Sequence, residues 1–285
     1  MRGRLETEDT EDRSLLVVGD RVQLRPSEHG DGVIERILAR GKVLVRADKR
    51  VKRFRHVIAA NVDKVILISS VREPRFRPGI VDRFLVAASS QEMPAALVIN
   101  KTDLADTDAL REELQVYREA YGALGLDVVL TSAQNEEGLA ALEALLRDSR
   151  AVLVGHSGVG KSSLLNALSP SLRLAARAVN RKTLKGTHTT SVAQILRLPS
   201  GVEVIDTPGL RELEIIDVSA VDLEAHFPEF LPLLPDCEKD NCAHVAEPGC
   251  AIKRAVEEGA ISERRYQSYL DIRSELEKAD KRHDR

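Results

Sequence analysis

The apolar run Ala151-Val152-Leu153-Val154 leads directly into Gly155-His156-Ser157-Gly158-Val159-Gly160-Lys161-Ser162, while Asn100-Lys101-Thr102-Asp103 lies well upstream. The later segment has the form of a phosphate-binding loop between a strand and a helix. The earlier one has the form of a guanine-reading turn. A nucleotide domain of ordinary connectivity carries them in the opposite order. The chain is therefore constrained to an α/β sheet whose sequence has been cut and rejoined.

With 285 residues, 43% of them hydrophobic, there is material for two or three compact units. No apolar stretch approaches the roughly 18 residues of a membrane span, and the N-terminus is acidic from Glu6 to Asp12 rather than built as a secretory signal. A cytoplasmic monomer with no membrane partner is expected. The net charge of -3 gives no global field for nucleic acid, so RNA contact must come from a patch. Arg40, Lys42, Arg46, Lys49, Arg50, Lys52, Arg53 and Arg55 supply one, opposed only by Asp48. With 3% aromatic residues and no Trp, recognition of RNA backbone or shape is favoured over base stacking.

Three units are expected: 1–61, 62–213 and 214–285. In the first, Leu15 to Val18, Val22 to Leu24, Val33 to Leu38 and Val43 to Val45 alternate with glycine-bearing turns, suggesting an all-β unit. A five-stranded OB-type barrel is the preferred form, with an SH3-like or irregular barrel as the alternative. In the second, buried strands at Val65 to Ile68, Ala96 to Ile99, Val128 to Leu130, Val152 to Val154 and Val202 to Ile205 alternate with helical stripes. The stripes are Leu110, Leu114, Tyr117 and Tyr121, then Leu139, Leu142, Leu145 and Leu146, as in βα units around a mostly parallel sheet. The third unit is small and helical from Ile252 and Ser262, and needs a staple.

GTP with Mg²⁺ is the ligand this arrangement suits. Residues from Gly155 through His156, Ser157, Gly158, Val159 and Gly160 to Lys161, Ser162 and Ser163 would surround the phosphates, with backbone amides of 158–161 on the β-phosphate and the helix N-terminus adding positive charge. Lys161 would bridge the β- and γ-phosphates, and the Ser162 hydroxyl would bind Mg²⁺. Asn100, Lys101, Thr102 and Asp103 follow a strand, and the Asp103 carboxylate can accept from guanine N1–H and its exocyclic amine. Thr131, Ser132 and Ala133 follow the next strand, where a backbone amide can meet guanine O6. In Asp206-Thr207-Pro208-Gly209, Asp206 would hold Mg²⁺ through water and the Gly209 amide would face the γ-phosphate, making a nucleotide-sensitive switch. Lys185 to Ser191 is the place for the second switch, with Thr189 and Thr190 equal candidates to complete the Mg²⁺ shell. Leu210 stands where Ras-type enzymes carry a water-orienting Gln, and His188 is the nearest candidate to take over that role. A solvated loop histidine is the alternative.

Cys237, Cys242, His244 and Cys250 form a C-x4-C-x-H-x5-C set. Three thiolates and an imidazole close a tetrahedral site for one structural Zn²⁺. Buried free cysteines and a Cys/His nucleophile pair are the competing readings.

Taken together, these motifs resemble the ribosome-small-subunit-dependent GTPase A family. The resemblance runs from Val18-Gly19-Asp20 and Val57-Ile58-Ala59-Ala60-Asn61-Val62-Asp63 through Gly186-Thr187-His188-Thr189-Thr190 to Glu247-Pro248-Gly249-Cys250-Ala251. It implies an OB domain, a circularly permuted GTPase domain and a zinc domain. The implied activity is GTP hydrolysis stimulated by the small ribosomal subunit during its late maturation, with the subunit and its rRNA as partners and His188 as the catalytic switch histidine. His156 and Ser191 depart from the family's usual Gln and Thr. A guanine-nucleotide-controlled rRNA-binding scaffold is the second reading. An ATP-using P-loop enzyme is disfavoured by Asp103 and Thr131-Ser132-Ala133, and a relative acting on the large subunit by the flanking units. Past Leu210 the permuted chain is expected to run directly into the zinc unit, coupling the DxxG switch to it.

Overall fold

The computed structural model describes residues 16–26, 32–47, 55–172, 193–207, 210 and 212–281. His188, Thr189, Thr190 and Gly209 lie outside the described residues.

At the N-terminus, β1 (Val22–Pro26) pairs antiparallel with β2 (Gly32–Ile37), and β3 (Val43–Ala47) pairs antiparallel with β4 (Arg55–Ala60). Among the described residues these are two separate two-stranded ladders, with a parallel bridge from Val18, ahead of β1, to Ala59 of β4. Leu24 and Val33 on the first ladder are exposed, whereas Leu44, Val45, Val57 and Ala59 on the second are buried.

The next unit is one six-stranded sheet. Its strands are β5 (Lys64–Ser70), β6 (Ala95–Asn100), β7 (Asp127–Leu130), β8 (Arg150–Val154), β9 (Gln194–Arg197) and β10 (Glu203–Asp206), in the order β7-β6-β5-β8-β10-β9. All pairings are parallel except that of β9 with β10. Alternate side chains of the central strands enter two cores. Val65, Leu67, Leu97, Ile99, Val152 and Val154 meet α1 (Pro78–Ser90) and α2 (Asp108–Ala123). Ile66, Ile68, Ala96, Val98, Ala151 and Leu153 meet α3 (Leu139–Leu146) and α4 (Lys161–Leu168) on the other face. Burial on both faces explains why these strands read as continuous apolar runs. The chain builds outward from β5 to β7, then returns to lay β8 on the other side of β5. The crevice at that reversal is where doubly wound sheets bind ligands.

Helix α1 and strand β9 escaped sequence reading for physical reasons. Helix α1 buries Val81, Asp82, Phe84, Val86, Ala87 and Ala88, so it has no clear polar face. One side meets the sheet, and Val86 enters the core of the C-terminal unit. Strand β9 is a short sheet edge of which only Leu196 is fully buried.

The C-terminal unit contains α5 (Ala251–Glu257), α6 (Glu263–Lys281) and several single turns of 3-10 helix. Its core is richer than its composition suggests: Phe227, Phe230 and Tyr269 are fully buried, with ring centroids 5.1 to 5.4 Å apart. Each such ring removed from water contributes about 1.5–3 kcal/mol. No helix of the described residues is long and apolar enough to cross a membrane.

A buried carboxylate fixes this unit to the sheet domain. Asp82 of α1 is fully buried and accepts from Arg264 Nη1 at 2.6 Å, Arg265 Nη1 at 2.9 Å, Ser268 Oγ at 2.6 Å and Tyr121 OH at 2.9 Å. Arg265 also grips Glu229 through Nε and Nη2. Burial, reinforced by the Asp82 charge, pushes the Tyr121 hydroxyl far above its ordinary pKa and keeps it a donor. Removing one partner from such a network leaves the others charged and unpaired. Asp82→Ala is expected to destabilise the fold by about 3 kcal/mol or more, read as a lower urea midpoint; an unchanged midpoint would remove the network from the list of stabilising contacts.

Candidate functional site

The sequence motifs all arrive at the C-terminal edge of the parallel strands. The phosphate-loop segment follows β8, Asn100 ends β6, Thr131 follows β7 and Asp206 ends β10. Asn100 holds the first three together. Its side chain is 1% exposed, and Nδ2 donates to Val159 O at 2.9 Å, inside the phosphate loop. Its Oδ1 accepts from Thr131 Oγ1 at 3.2 Å and from Ala133 N at 3.3 Å. The carboxamide therefore ties the two base-side turns to the phosphate loop. Gly160 is glycine for the same reason: its φ is +98°, and a Cβ there would stand 2.2 Å from Asn100 Nδ2.

Asp103 is exposed and accepts from Ser132 Oγ, whose oxygen also accepts from Asn135 N. That bond fixes the carboxylate beside the backbone of 131–133. Thr102 N donates to Thr131 O at 3.1 Å, drawing the turns closer. Lys101 adopts a left-handed backbone, φ 63°, and its Nζ donates to Glu73 O in the turn after β5. Its aliphatic stem thus runs from the β6 turn to the β5 turn.

In the phosphate loop, Lys161 Nζ donates to Gly155 O and to His156 O at 3.1 Å, so the ammonium sits within the curl of the loop. Ser162 follows in the first turn of α4. His156 Nε2 lies 3.3 Å from Glu212 Oε1, a contact from the phosphate loop to the chain beyond the DxxG motif. Leu210 N donates to Thr207 O at 3.1 Å, and its side chain packs on the β5–α1 core. It is thereby taken away from solvent chemistry. Among the described residues, the buried Thr207 hydroxyl has no hydrogen-bond partner. A buried hydroxyl oriented at the strand end beside Asp206 fits a site that receives a polar ligand.

Cys237, Cys242, His244 and Cys250 place their ligating atoms within 4.8 Å of one another, and all but Cys237 are buried. His244 Nδ1 faces the sulfurs, 3.4 Å from Cys250 Sγ and 3.7 Å from Cys237 Sγ. Its Nε2 meets Glu224 Oε2 at 2.8 Å, which fixes the ring and the tautomer that frees Nδ1. Burial above all pushes the Cys242 thiol up to about 12, so it keeps its proton unless a bound cation displaces it. Around them, the Glu247 carboxylate accepts from the backbone of Ala243, Val245 and Ala246. Although burial opposes its charge, these bonds hold Glu247 down at about 2. Tyr266 OH donates to His244 O at 2.6 Å and Tyr269 OH to Ala243 O at 3.0 Å. Glu224 lies far from the ligands in sequence, and no local pattern marks it.

Two substitutions test these geometries. Asn100→Ala is expected to lower GTP and GDP affinity together, by about tenfold or more, because Val159 O and Ala133 N lose their partner. Titration with labelled nucleotides measures it, and unchanged affinities would dissociate Asn100 from the shape of the loop. Glu224→Ala is expected to weaken metal retention by about 10–100-fold against a chelator, with no change if the carboxylate does not orient His244.

A family model described as RsgA GTPase matches residues 37–216. The Small ribosomal subunit biogenesis GTPase RsgA of Chlorobaculum parvum is 41% identical over 277 residues, covering 94% of this chain and 88% of that one. The protein of the same description from Thermotoga maritima is 42% identical over 261 residues, covering 92% and 84%. Among solved structures, YjeQ from Thermotoga maritima superposes with a TM-score of 0.73 at 40% identity, covering 92% of this chain and 84% of that one. YloQ, described as a circularly permuted GTPase, gives 0.72 at 31% identity, covering 94% and 83%. The reversed order of the motifs, the strand order that brings them to one edge and these matches across most of the chain agree: it belongs to the RsgA GTPase family and has a circularly permuted GTPase fold.

Proposed function

We propose that this protein hydrolyses GTP to GDP and phosphate in the maturation of the small ribosomal subunit, with hydrolysis stimulated by that subunit. The observation that carries the reading is the Asn100 carboxamide, which joins the phosphate loop to the turns bearing Asp103 and Ala133. That geometry suits a nucleotide whose base and phosphates are recognised at once. The relatives named for small-subunit biogenesis support the setting.

In this reading Asp103 accepts from the guanine N1–H and amine, an amide of 131–133 meets O6, and the backbone of 158–161 wraps the β-phosphate. Lys161 leaves its loop carbonyls for the β- and γ-phosphates. Mg²⁺ supplies counter-charge to the phosphates, and Ser162, Asp206 and one of Thr189 and Thr190 are suited to hold it. Leu210 is a half-buried aliphatic side chain packed against the core and cannot hydrogen-bond water, so the task of orienting water falls to His188. The Cys3His set holds one structural Zn²⁺, since it leaves no open position for chemistry. The first ladders belong to an OB-type barrel of residues 1–61, whose basic stretch faces rRNA. The GTPase unit spans 62–213 and the zinc unit 214–285, and the monomer works in the cytoplasm with the DxxG switch coupled to the zinc unit.

Single-turnover hydrolysis with and without isolated small subunits, at fixed salt, tests the reading. A large stimulation is expected; its absence, with GTP-dependent subunit binding retained, would favour a scaffold in which hydrolysis is incidental. His188→Ala is expected to reduce the stimulated rate by about 100-fold or more while GTP affinity stays near that of the unaltered protein. An unaltered stimulated rate would reject His188 as the catalytic group.

A further inference from the structure

The chain leaving the DxxG motif engages the N-terminal unit before it reaches the metal-bearing one. Glu214 Oε2 accepts from Ala47 N at 2.9 Å, and Gln91 Oε1 accepts from Val45 N at 3.0 Å. Gln91 Nε2 in turn donates to Glu214 O at 3.0 Å. Val45 and Ala47 lie two apart on β3, so both amides are presented along one side of the strand. Among the described residues β3 pairs only with β4, and an open strand edge needs partners. Gln91 and Glu214 supply them. Ile216 packs with Val45 and Val57, and its amide donates to Ser90 Oγ at 3.2 Å. Asp217 pairs with Arg55, the first residue of β4.

This edge belongs to the hairpin with the chain's densest positive charge. Arg46 and Arg55 are exposed at one end of the ladder, and the intervening sequence adds Lys49, Arg50, Lys52 and Arg53. A ligand with regularly spaced negative charge, the phosphate backbone of RNA, suits that concentration of positive charge in the sequence. On the other side, His156 of the phosphate loop contacts Glu212, two residues before Glu214.

We propose that Glu214 is the positioning residue through which nucleotide state reaches the RNA-facing β3–β4 hairpin. A rearrangement of the segment after Asp206 shifts the carboxylate that closes the β3 edge, and with it the hairpin's presentation to the RNA backbone. This rests on the reading of 206–209 as a nucleotide-sensitive switch, and extends it from the zinc unit to the opposite end of the chain.

The test uses the full chain with metal bound and compares Glu214→Ala with Glu214→Gln, which retains an acceptor oxygen. Hydrogen exchange is followed at the amides of Val45 and Ala47 with a non-hydrolysable GTP analogue and with GDP. In the unaltered protein, protection is expected to differ between the two nucleotides; Glu214→Ala abolishes the difference and Glu214→Gln restores it. The ratio of small-subunit affinities in the two states is expected to shrink by about tenfold in Glu214→Ala, with labelled-GDP affinity unchanged. Equal protection in both nucleotide states of the unaltered protein, or an undiminished difference in Glu214→Ala, overturns the proposal. Failure of the unaltered protein to bind small subunits would defeat the ribosomal reading alone, because the exchange comparison still decides the Glu214 link.

Discussion

One buried carboxamide organises the nucleotide end of this molecule. A side-chain amide offers two donor hydrogens and an oxygen with two acceptor sites, and Asn100 uses both ends to bind three separate turns. Gly160 makes room for it, and the strands β6, β7 and β8 deliver the turns at matching heights. The 155–161 loop therefore does not depend on sequence continuity with the turns at Asn100 and Thr131. This is how the order of the motifs can be inverted while the site survives: tertiary bonds, and not the chain direction, set their distances.

The second organising interaction is of a different kind. Asp82 is a charge buried where the sheet domain meets α6, and its partners come from two helices, α2 and α6. Such a network costs desolvation and returns geometry, since its members must all be present and correctly oriented. Together with Val86 in the C-terminal core, it makes the C-terminal unit an integral neighbour of α1. The loop of Cys237 to Cys250, which gathers the four candidate metal ligands, is consequently held from α6 by Tyr266 and Tyr269. Burial keeps the Tyr269 hydroxyl up at about 12, so it remains a donor to that loop.

Much of this was legible in the sequence because the central strands bury both faces and the motifs sit at their ends. Val65 to Ile68 and Val152 to Val154 read as strands from apolar content alone, and the stripes through Leu114 and Leu142 gave α2 and α3. The four metal-ligand candidates were legible because they are close in sequence. What escaped depends on partners distant in the chain. Asp82 looks like an ordinary helix charge until Arg264 and Arg265 arrive more than half the chain later, and Glu224 gains meaning only beside His244. The doubly covered α1 has no polar stripe to announce it. Asn100 was recognised as part of a guanine motif, but its bond to Val159 needs the inverted connectivity to be folded before it can be seen. For the N-terminal unit, the described residues give two antiparallel ladders, and the segments 27–31 and 48–54 between the paired strands lie outside the described residues.

The Asp82 network also bears on how the protein comes into being. Asp82 is synthesised early, on a helix that flanks the central sheet, whereas Arg264, Arg265 and Ser268 lie near the end of the chain. Until α6 has left the ribosomal exit tunnel, Tyr121 is the only one of those four donors available to that carboxylate. A nascent chain can pair its strands before then, but it cannot close α1 against a dry interior with the charge uncompensated. Completion of the sheet domain is thus tied to the emergence of α6, and a product truncated before Arg264 would be marked by an incompletely sealed first helix.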